Sequence, residues 1–303
     1  MLNVPILMLV FNRLETTVRV FEQVRKARPR HLYIVADGAR AHKAGEGQKC
    51  EAVRRLFLDK IDWPCELHTL FRTENLGCRK SVSTGITWFF EQVEEGIILE
   101  DDCLPDLSFF SFCAEMLDKY RDNKQIMHIS GSQLLAKQYE TQPDAYLYAR
   151  VPYIWGWATW RRAWQLYDAE MEAWPKFLST RIGEIDGLGG FLKKKFLKNM
   201  QAVHRYELDT WDYQWTFTLW QNRGISIVPN RNLISNIGFG ADATHTATVS
   251  HLANQETSTI GQNIAPANAF PPNFNYDKQS FLYMYGANIL IRGWRWFKTK
   301  FFK

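Results

Sequence analysis

Four short apolar runs, separated by three segments of helical periodicity, fill the first hundred or so residues of the chain. "VPILMLVFNR" from Val4 is a buried strand; "LETTVRVFEQVRKARP" follows, with Val18, Phe21, Val24 and Ala27 on one helical face and Pro29 as its stop. "HLYIVADG" is a second strand and "GARAHKAGEGQK" a polar, glycine-bearing loop. Helix "CEAVRRLFLDKI", strand "CELHTLFR", helix "CRKSVSTGITWFFEQV" and strand "GIILEDD" complete the series. Strands alternating with helices specify an α/β domain on a mainly parallel, Rossmann-like sheet. Ligands of such sheets bind beyond the carboxyl ends of the strands. Those ends carry Asn12–Arg13, Asp37–Gly38, Arg72–Asn75 and Glu100–Asp102. Four polar ends on one edge predict a site there.

After Cys113 the order changes. "HISGSQLL" and "AYLYARV" are strand-like, "YIWGWATWRRAWQLY" gathers four Trp, and a lysine-rich helical region covers Phe191 to Asn199. The expected organisation is a nucleotide-binding half over 1–125, an acceptor-side half of the same domain over 126–250, and an appendage over 251–303. With 303 residues, 46% of them hydrophobic, the chain has enough material for a large core. The five cysteines form no CxxC pair, which argues against a disulfide framework or a zinc site and for a reducing compartment. The apolar run Val4–Phe11 is short, contains Pro5 and lacks a basic flank, and no run reaches the 18 or so residues of a membrane span. The expectation is a cytoplasmic protein, peripheral at the inner face of the membrane.

Glu100, Asp101 and Asp102 stand together at a strand end, where like charges repel. Either they face water at an ordinary turn or a cation holds them. Their setting resembles that of the nucleotide-sugar-dependent glycosyltransferases of the GT-A fold, and more narrowly the N-acetylglucosaminyltransferase I type with its bacterial relatives. The resemblance runs from about Val4 to about His245. It rests on Arg13 after the first strand, Asp37 after the second and "EDD" with "PDLSFFSF" behind it, then "HISG" at His128–Gly131, "WGWATWRRAW" from Trp155 and "WDYQW" from Trp211. It implies that Asp102 binds Mn²⁺ or Mg²⁺, which offsets charge on a departing diphosphate, and that Glu100 and Asp101 hydrogen-bond the donor sugar and ribose. A UDP-sugar is the donor it implies, with Arg13 near phosphate or base and Asp37 on the base edge; a surface ion pair and a helix cap are the plain alternatives for these two. Arg79 and Lys80 open a helix, where cations oppose the macrodipole unless an anion sits there; a diphosphate site and two solvated side chains both fit.

Transfer to a hydroxyl needs a base. The resemblance places a catalytic aspartate in "LDTWDYQW", which offers Asp209 and Asp212; spacing from Pro229 favours Asp212, although the family's adjacent second acid is here Tyr213. Asp212 could equally cap the helix Tyr213–Gln221. The Trp155–Trp164 cluster reads as core first and as an acceptor platform second, with Trp157 the residue singled out. Gly238, Gly240 and His245 suit a loop closing over the donor, with His245 either reaching the metal or diphosphate or standing as an ordinary loop histidine. The last 26 residues, Lys278 to Lys303, carry six basic side chains and no acid. They read as an anchor on an anionic leaflet, which favours a glycan or lipid-linked acceptor, or else as a helix docked through Phe281, Tyr283 and Ile289. No nucleic-acid recognition motif accompanies that charge. The expected activity is metal-dependent, inverting sugar transfer. The rivals are a sugar-1-phosphate nucleotidyltransferase, whose glycine-rich loop "FNRLETT" does not resemble, and an inactive membrane-surface binding protein.

Overall fold

The alternating half folds as its periodicity dictates. A computed structural model describes residues 1–139, 141–239, 251–272 and 274–284. Strand β1 (Ile6–Val10) is buried at all five positions and leads into α1 (Leu14–Ala27). Helix α1 buries Thr17, Val20, Phe21 and Val24, a 3.6-residue stripe rather than the three-residue spacing read from the sequence, which leaves Val18 half-buried. It ends at Arg28, in the left-handed region just before Pro29. Then come β2 (His31–Ala36), α2 (Glu46–Lys60), β3 (Glu66–Phe71), α3 (Gly77–Phe90) and β4 (Glu95–Glu100). Strands β1, β2, β3 and β4 pair in parallel, in the order β4-β1-β2-β3.

The remaining elements are β5 (Cys103–Pro105), α4 (Ser108–Lys119), β6 (Ile126–Ser130), β7 (Ala145–Ala149), β8 (Trp157–Trp160), α5 (Arg161–Trp164), α6 (Trp174–Thr180), α7 (Gly190–His204), α8 (Asp212–Gln221), β9 (Ile225–Pro229), β10 (Ile234–Asn236) and β11 (Ala265–Pro266). They extend the parallel block into a nine-stranded, mainly parallel sheet of order β11-β7-β9-β6-β8-β4-β1-β2-β3. The Trp-rich run was expected only as a cluster; part of it is strand β8, antiparallel to both β4 and β6. One sheet therefore runs through both halves of the domain.

Alternation in the strands sorts the core onto two faces. Ile6, Met8, Ile34 and Ile97 pack on one side with Phe21, Phe57, Phe109 and Met116. Leu7, Leu9, Tyr33 and Ile98 pack on the other with Ile86, Phe89 and a group of Trp157, Trp164, Trp211 and Trp215. Residues 251–272 return along the domain, where Ile260 N donates to Ser108 Oγ at 3.1 Å and β11 pairs with β7. Residues 275–284 are helical, and Phe281 packs against Phe196 at 5.3 Å between ring centroids. That much of the appendage is docked on the domain. Ile289 and the basic side chains Arg292, Arg295, Lys298, Lys300 and Lys303 lie outside the described residues, as do Gly240 and His245. No helix among the described residues is long and apolar enough to cross a membrane, and all five cysteines are free.

Candidate active site

The carboxyl ends of β1, β2 and β4 open on a cleft of about 600 Å³. Its walls bring together Arg13, Asp37, Glu100, Asp101 and Asp102 with Asp209 and Asp212, more than a hundred residues further along the chain. Parallel pairing accounts for the convergence on the sheet side, since it sends every one of these strands out at the same edge. Arg72, at the end of β3, points elsewhere and donates to Thr84 Oγ1 at 2.7 Å. Six carboxylates line the cleft against two guanidiniums, Arg13 and Arg40. Arg40 is itself held by Glu46. The cleft therefore carries a surplus of negative charge.

That surplus centres on the acid triplet. Asp101 is 3% exposed and fully engaged: its Oδ1 takes the Arg13 guanidinium, and its Oδ2 accepts from Phe11 N at 3.4 Å. Asp102 Oδ2 lies 3.0 Å from the same guanidinium. One arginine thus serves two acids, leaving Glu100 and Asp102 as the carboxylates turned to the cavity. Burial pushes the Glu100 carboxyl up to about 8, aided by repulsion from Asp102 and Asp101. Burial also raises Asp101, to about 6, with Arg13 pulling the other way and Asp102 adding to the rise. Arg13 responds in kind: burial opposes its charge, but Asp101 and Asp102 outweigh that and raise it above its ordinary value.

The backbone closes over this group. Strand β10 pairs antiparallel with β5, and Ile237 N donates to the Asp102 carbonyl at 2.9 Å. Gly238 follows, so close that a Cβ there would lie 2.0 Å from Asp102 Oδ2 and 2.7 Å from Arg13 Nη1. Only glycine fits. The segment expected to cover the donor therefore starts against the acids.

Helix starts supply the far wall. The first turn of α3 exposes backbone N–H groups that need an acceptor, and an anion does sit there, contributed by the chain itself. Asp209 Oδ2 accepts from Cys78 N at 3.0 Å and Asp209 Oδ1 from Arg79 N at 2.9 Å. Asp212 is the first residue of α8, where a negative charge suits the helix dipole; Trp211, rather than Asp212, occupies the cap position. Thr210 Oγ1 donates to Asp212 Oδ1. The preceding Trp211 is buried and stacked on Trp157, 5.7 Å between centroids, and its carbonyl accepts from Tyr167 OH at 3.1 Å. The Trp cluster thus fixes the backbone that carries Asp212.

Several expected contacts are made elsewhere. Trp157 is 1% exposed and belongs to the core, so it has no surface to offer an acceptor. Arg79 is 8% exposed; its guanidinium donates to the carbonyls of Val203 and Ala169 and lies over the Tyr206 ring, and does not line the cleft. Lys80 is exposed on α3 and lies outside the cleft wall. Asp37 lines the cleft, yet both its oxygens accept from Leu76 N, at 3.0 and 3.2 Å, and Asn75 Nδ2 and Gly38 N are two further donors, each at 3.0 Å. It ties the β3–α3 loop to the end of β2. Trp155, Tyr213 and Asn75 also line the cleft; in the sequence they stand out only as part of the Trp cluster, as the residue replacing an acid, and as the end of a polar segment. The signal for Trp155 was its neighbour: Gly156 has φ +60°, which turns the chain between Trp155 and β8. Trp155 consequently faces the cavity, edge-on to Phe239 at 5.9 Å, while Trp157 enters the core.

No family model matches the chain, and no curated protein matches it. Solved structures give distant likenesses. One is a mannosyltransferase from Pyrobaculum calidifontis in complex with GDP-Man and Mn²⁺, at 15% identity and TM-score 0.38, over 54% of this chain and 46% of that one. This chain therefore spans about half of that protein's length. UTP-bound UGPase from Acinetobacter baumannii matches at 11% identity and TM-score 0.37, over 77% of this chain and 88% of that one. Mouse xyloside xylosyltransferase 1 in its apo form matches at 11% identity and TM-score 0.32, over 73% and 82% respectively. None of these likenesses is close enough to transfer a substrate.

Proposed function

We propose that this protein is a metal-dependent glycosyltransferase that moves a sugar from a nucleotide-diphosphate donor to a hydroxyl acceptor, with inversion. One observation carries the reading: a cleft at the carboxyl edge of a parallel sheet holds six carboxylates and only two arginines, both already paired with acids. Such a cleft repels a diphosphate on its own. It accepts one together with a divalent cation. The donor set fits that ion, because Glu100 and Asp102 offer hard carboxylate oxygens of the kind Mn²⁺ and Mg²⁺ prefer, and burial has already raised the cost of leaving Glu100 charged and unpartnered. When bound, the ion would offset the negative charge that develops on the leaving diphosphate.

The chain's own residues do the rest. Arg13 holds Asp101 and Asp102 in place, so the carboxylates are oriented before the donor arrives. Gly238 leaves room for the covering segment to lie directly on this pair. Asp212, in the lining of the same cleft and set in place by the buried Trp211, takes the proton from the acceptor hydroxyl as the bond to the sugar forms. Trp155 presents the aromatic surface along which a sugar ring packs. Within this reading the sequence motifs follow the N-acetylglucosaminyltransferase I pattern, with a UDP-sugar as the donor and a glycan or lipid-linked acceptor.

The test is thermal denaturation of the full chain with a panel of nucleotide sugars, with and without Mn²⁺. A ligand at 100 times its dissociation constant stabilises by about 2.7 kcal/mol. The expected result is a shift that needs both the nucleotide sugar and the metal and that disappears in Asp102→Asn. A shift of equal size without metal, or one retained in the variant, refutes the reading.

A further inference from the structure

The opposite edge of the sheet carries a different set of donors. His31 opens β2 and Glu66 opens β3, and the parallel register sets them side by side, with Tyr33 level with His68 two residues on. Alternation then places His31, Glu66 and His68 on one face of the sheet, at its β3 margin. One ligand-type atom from each lies within 4.8 Å of the others. His31 Nδ1 is 3.3 Å from Glu66 Oε2, and His68 Nε2 is 3.9 Å from the same oxygen.

We propose that His31, Glu66 and His68 form a binding site for a borderline transition-metal ion of the Zn²⁺ class, separate from the cleft. Two donors bound tetrahedrally to zinc at about 2.0–2.1 Å lie roughly 3.4 Å apart. The 3.3 Å pair already has that spacing, and the 3.9 Å pair needs a few tenths of an ångström. A direct hydrogen bond does not explain the longer contact, since 3.9 Å exceeds hydrogen-bond range. Among the described residues His68 Nε2 is shielded from solvent and has no hydrogen-bond partner, an open valence that an ion would fill. The His68 ring is also held in place, stacked on Tyr33 at 4.4 Å and 9°, with Tyr33 wedged edge-on against Phe89.

Two imidazoles and one carboxylate suit zinc, cobalt or nickel, whereas the all-oxygen set of the cleft suits Mn²⁺ or Mg²⁺. Three protein ligands leave a fourth position to solvent or to a ligand from outside. The ion would also add a side-chain tie between β2 and β3, the last strand at this end of the sheet. The missing CxxC pairs led to the expectation of no zinc site, but cysteine spacing says nothing about histidine and carboxylate ligands brought together by strand register.

The experiment is a Co²⁺ titration of the chelator-stripped full chain, read by visible absorption and followed by displacement with Zn²⁺. In wild type and Asp102→Asn alike, the tetrahedral-type absorption should saturate at one equivalent, which separates this site from the all-oxygen cleft. Losing an outer-shell partner already costs about 10–100-fold in metal affinity, and loss of a direct ligand in His31→Gln or His68→Gln should cost at least that. Unchanged affinity in both histidine variants overturns the proposal. So does wild-type binding no tighter than that of a variant carrying both His31→Gln and His68→Gln, or no cobalt spectrum at all.

Discussion

Burial raises the carboxyls of Asp277, Glu100 and Asp101 alike, and the molecule resolves the two places in opposite ways. Asp277 is fully buried on the docked C-terminal segment, where its oxygens accept from Arg150 N and Val151 N at 3.1–3.2 Å. Burial still raises it to about 7, with those backbone donors pulling downward. Backbone donors are neutral, permanent and local, so the group is a structural tie between two chain segments. The triplet has one guanidinium between Asp101 and Asp102, a rising Glu100, and an open cavity in front. A carboxylate provided for by its own fold is a joint. A group of carboxylates left in excess at a cavity is prepared for something that is not part of the chain.

The largest effect that sharpens this contrast is expected at Asp212. General bases contribute about 10²–10⁴-fold, so Asp212→Asn should lower turnover by that factor while leaving the metal-dependent donor shift intact; retained turnover would move the base elsewhere. Next comes Asp102→Asn, which should remove the donor-induced stabilisation of about 2.7 kcal/mol expected at 100 times the dissociation constant. Asp277→Asn should leave that shift unchanged. Equal losses in both variants would erase the distinction between joint and site.

Asp277 gives a smaller, pH-dependent effect. Its folded value, about 7, lies above the ordinary value of 3.8. Between those limits the folded state holds a proton that the unfolded state has released, so stability falls as pH rises through that window, by at most about 1.4 kcal/mol per unit. Above about pH 7 this contribution is flat. Asp277→Asn keeps one oxygen for the backbone donors and removes the slope. Denaturant midpoints of the two proteins from about pH 4 to pH 8 should therefore converge at the acid end and separate toward pH 7, and parallel curves would rule it out.

How much of this was legible in the sequence depended on how local the cause was. The parallel block and its polar edge were, because apolar period and strand ends are local properties; Arg13, Asp37 and the triplet all reached the cleft. Arg79 was misjudged because its partners, the carbonyls of Ala169 and Val203, lie 90 and 124 positions away. Trp157 and Trp155 were not separable by composition; the positive φ of Gly156 decides which one faces the cavity. The His31–Glu66–His68 cluster depends on the β2–β3 register, and register is a property of the pair of strands rather than of either one.

Asp209 is where the comparison meets its hardest case. It lines the cleft, as the triplet does, yet both of its oxygens are taken by backbone N–H groups, as at Asp277. If hydrogen bonding rather than location decides the role, Asp209 belongs with the joints. Asp209→Ala then leaves two N–H groups of the α3 first turn without an acceptor and costs about 1 kcal/mol, the usual value of a lost helix cap. Gly77 makes the site demanding, since a Cβ there would lie 2.8 Å from Asp209 Oδ2 and the loop has little room to re-form. Asp209→Asn retains one acceptor oxygen and should recover part of that loss. Turnover per folded molecule in the asparagine variant should stay within about tenfold of wild type, below the range a catalytic base supplies. A loss of a hundredfold or more in Asp209→Asn, with stability intact, would place Asp209 beside Asp212 in the chemistry and show that a carboxylate capped by the backbone can still serve the reaction.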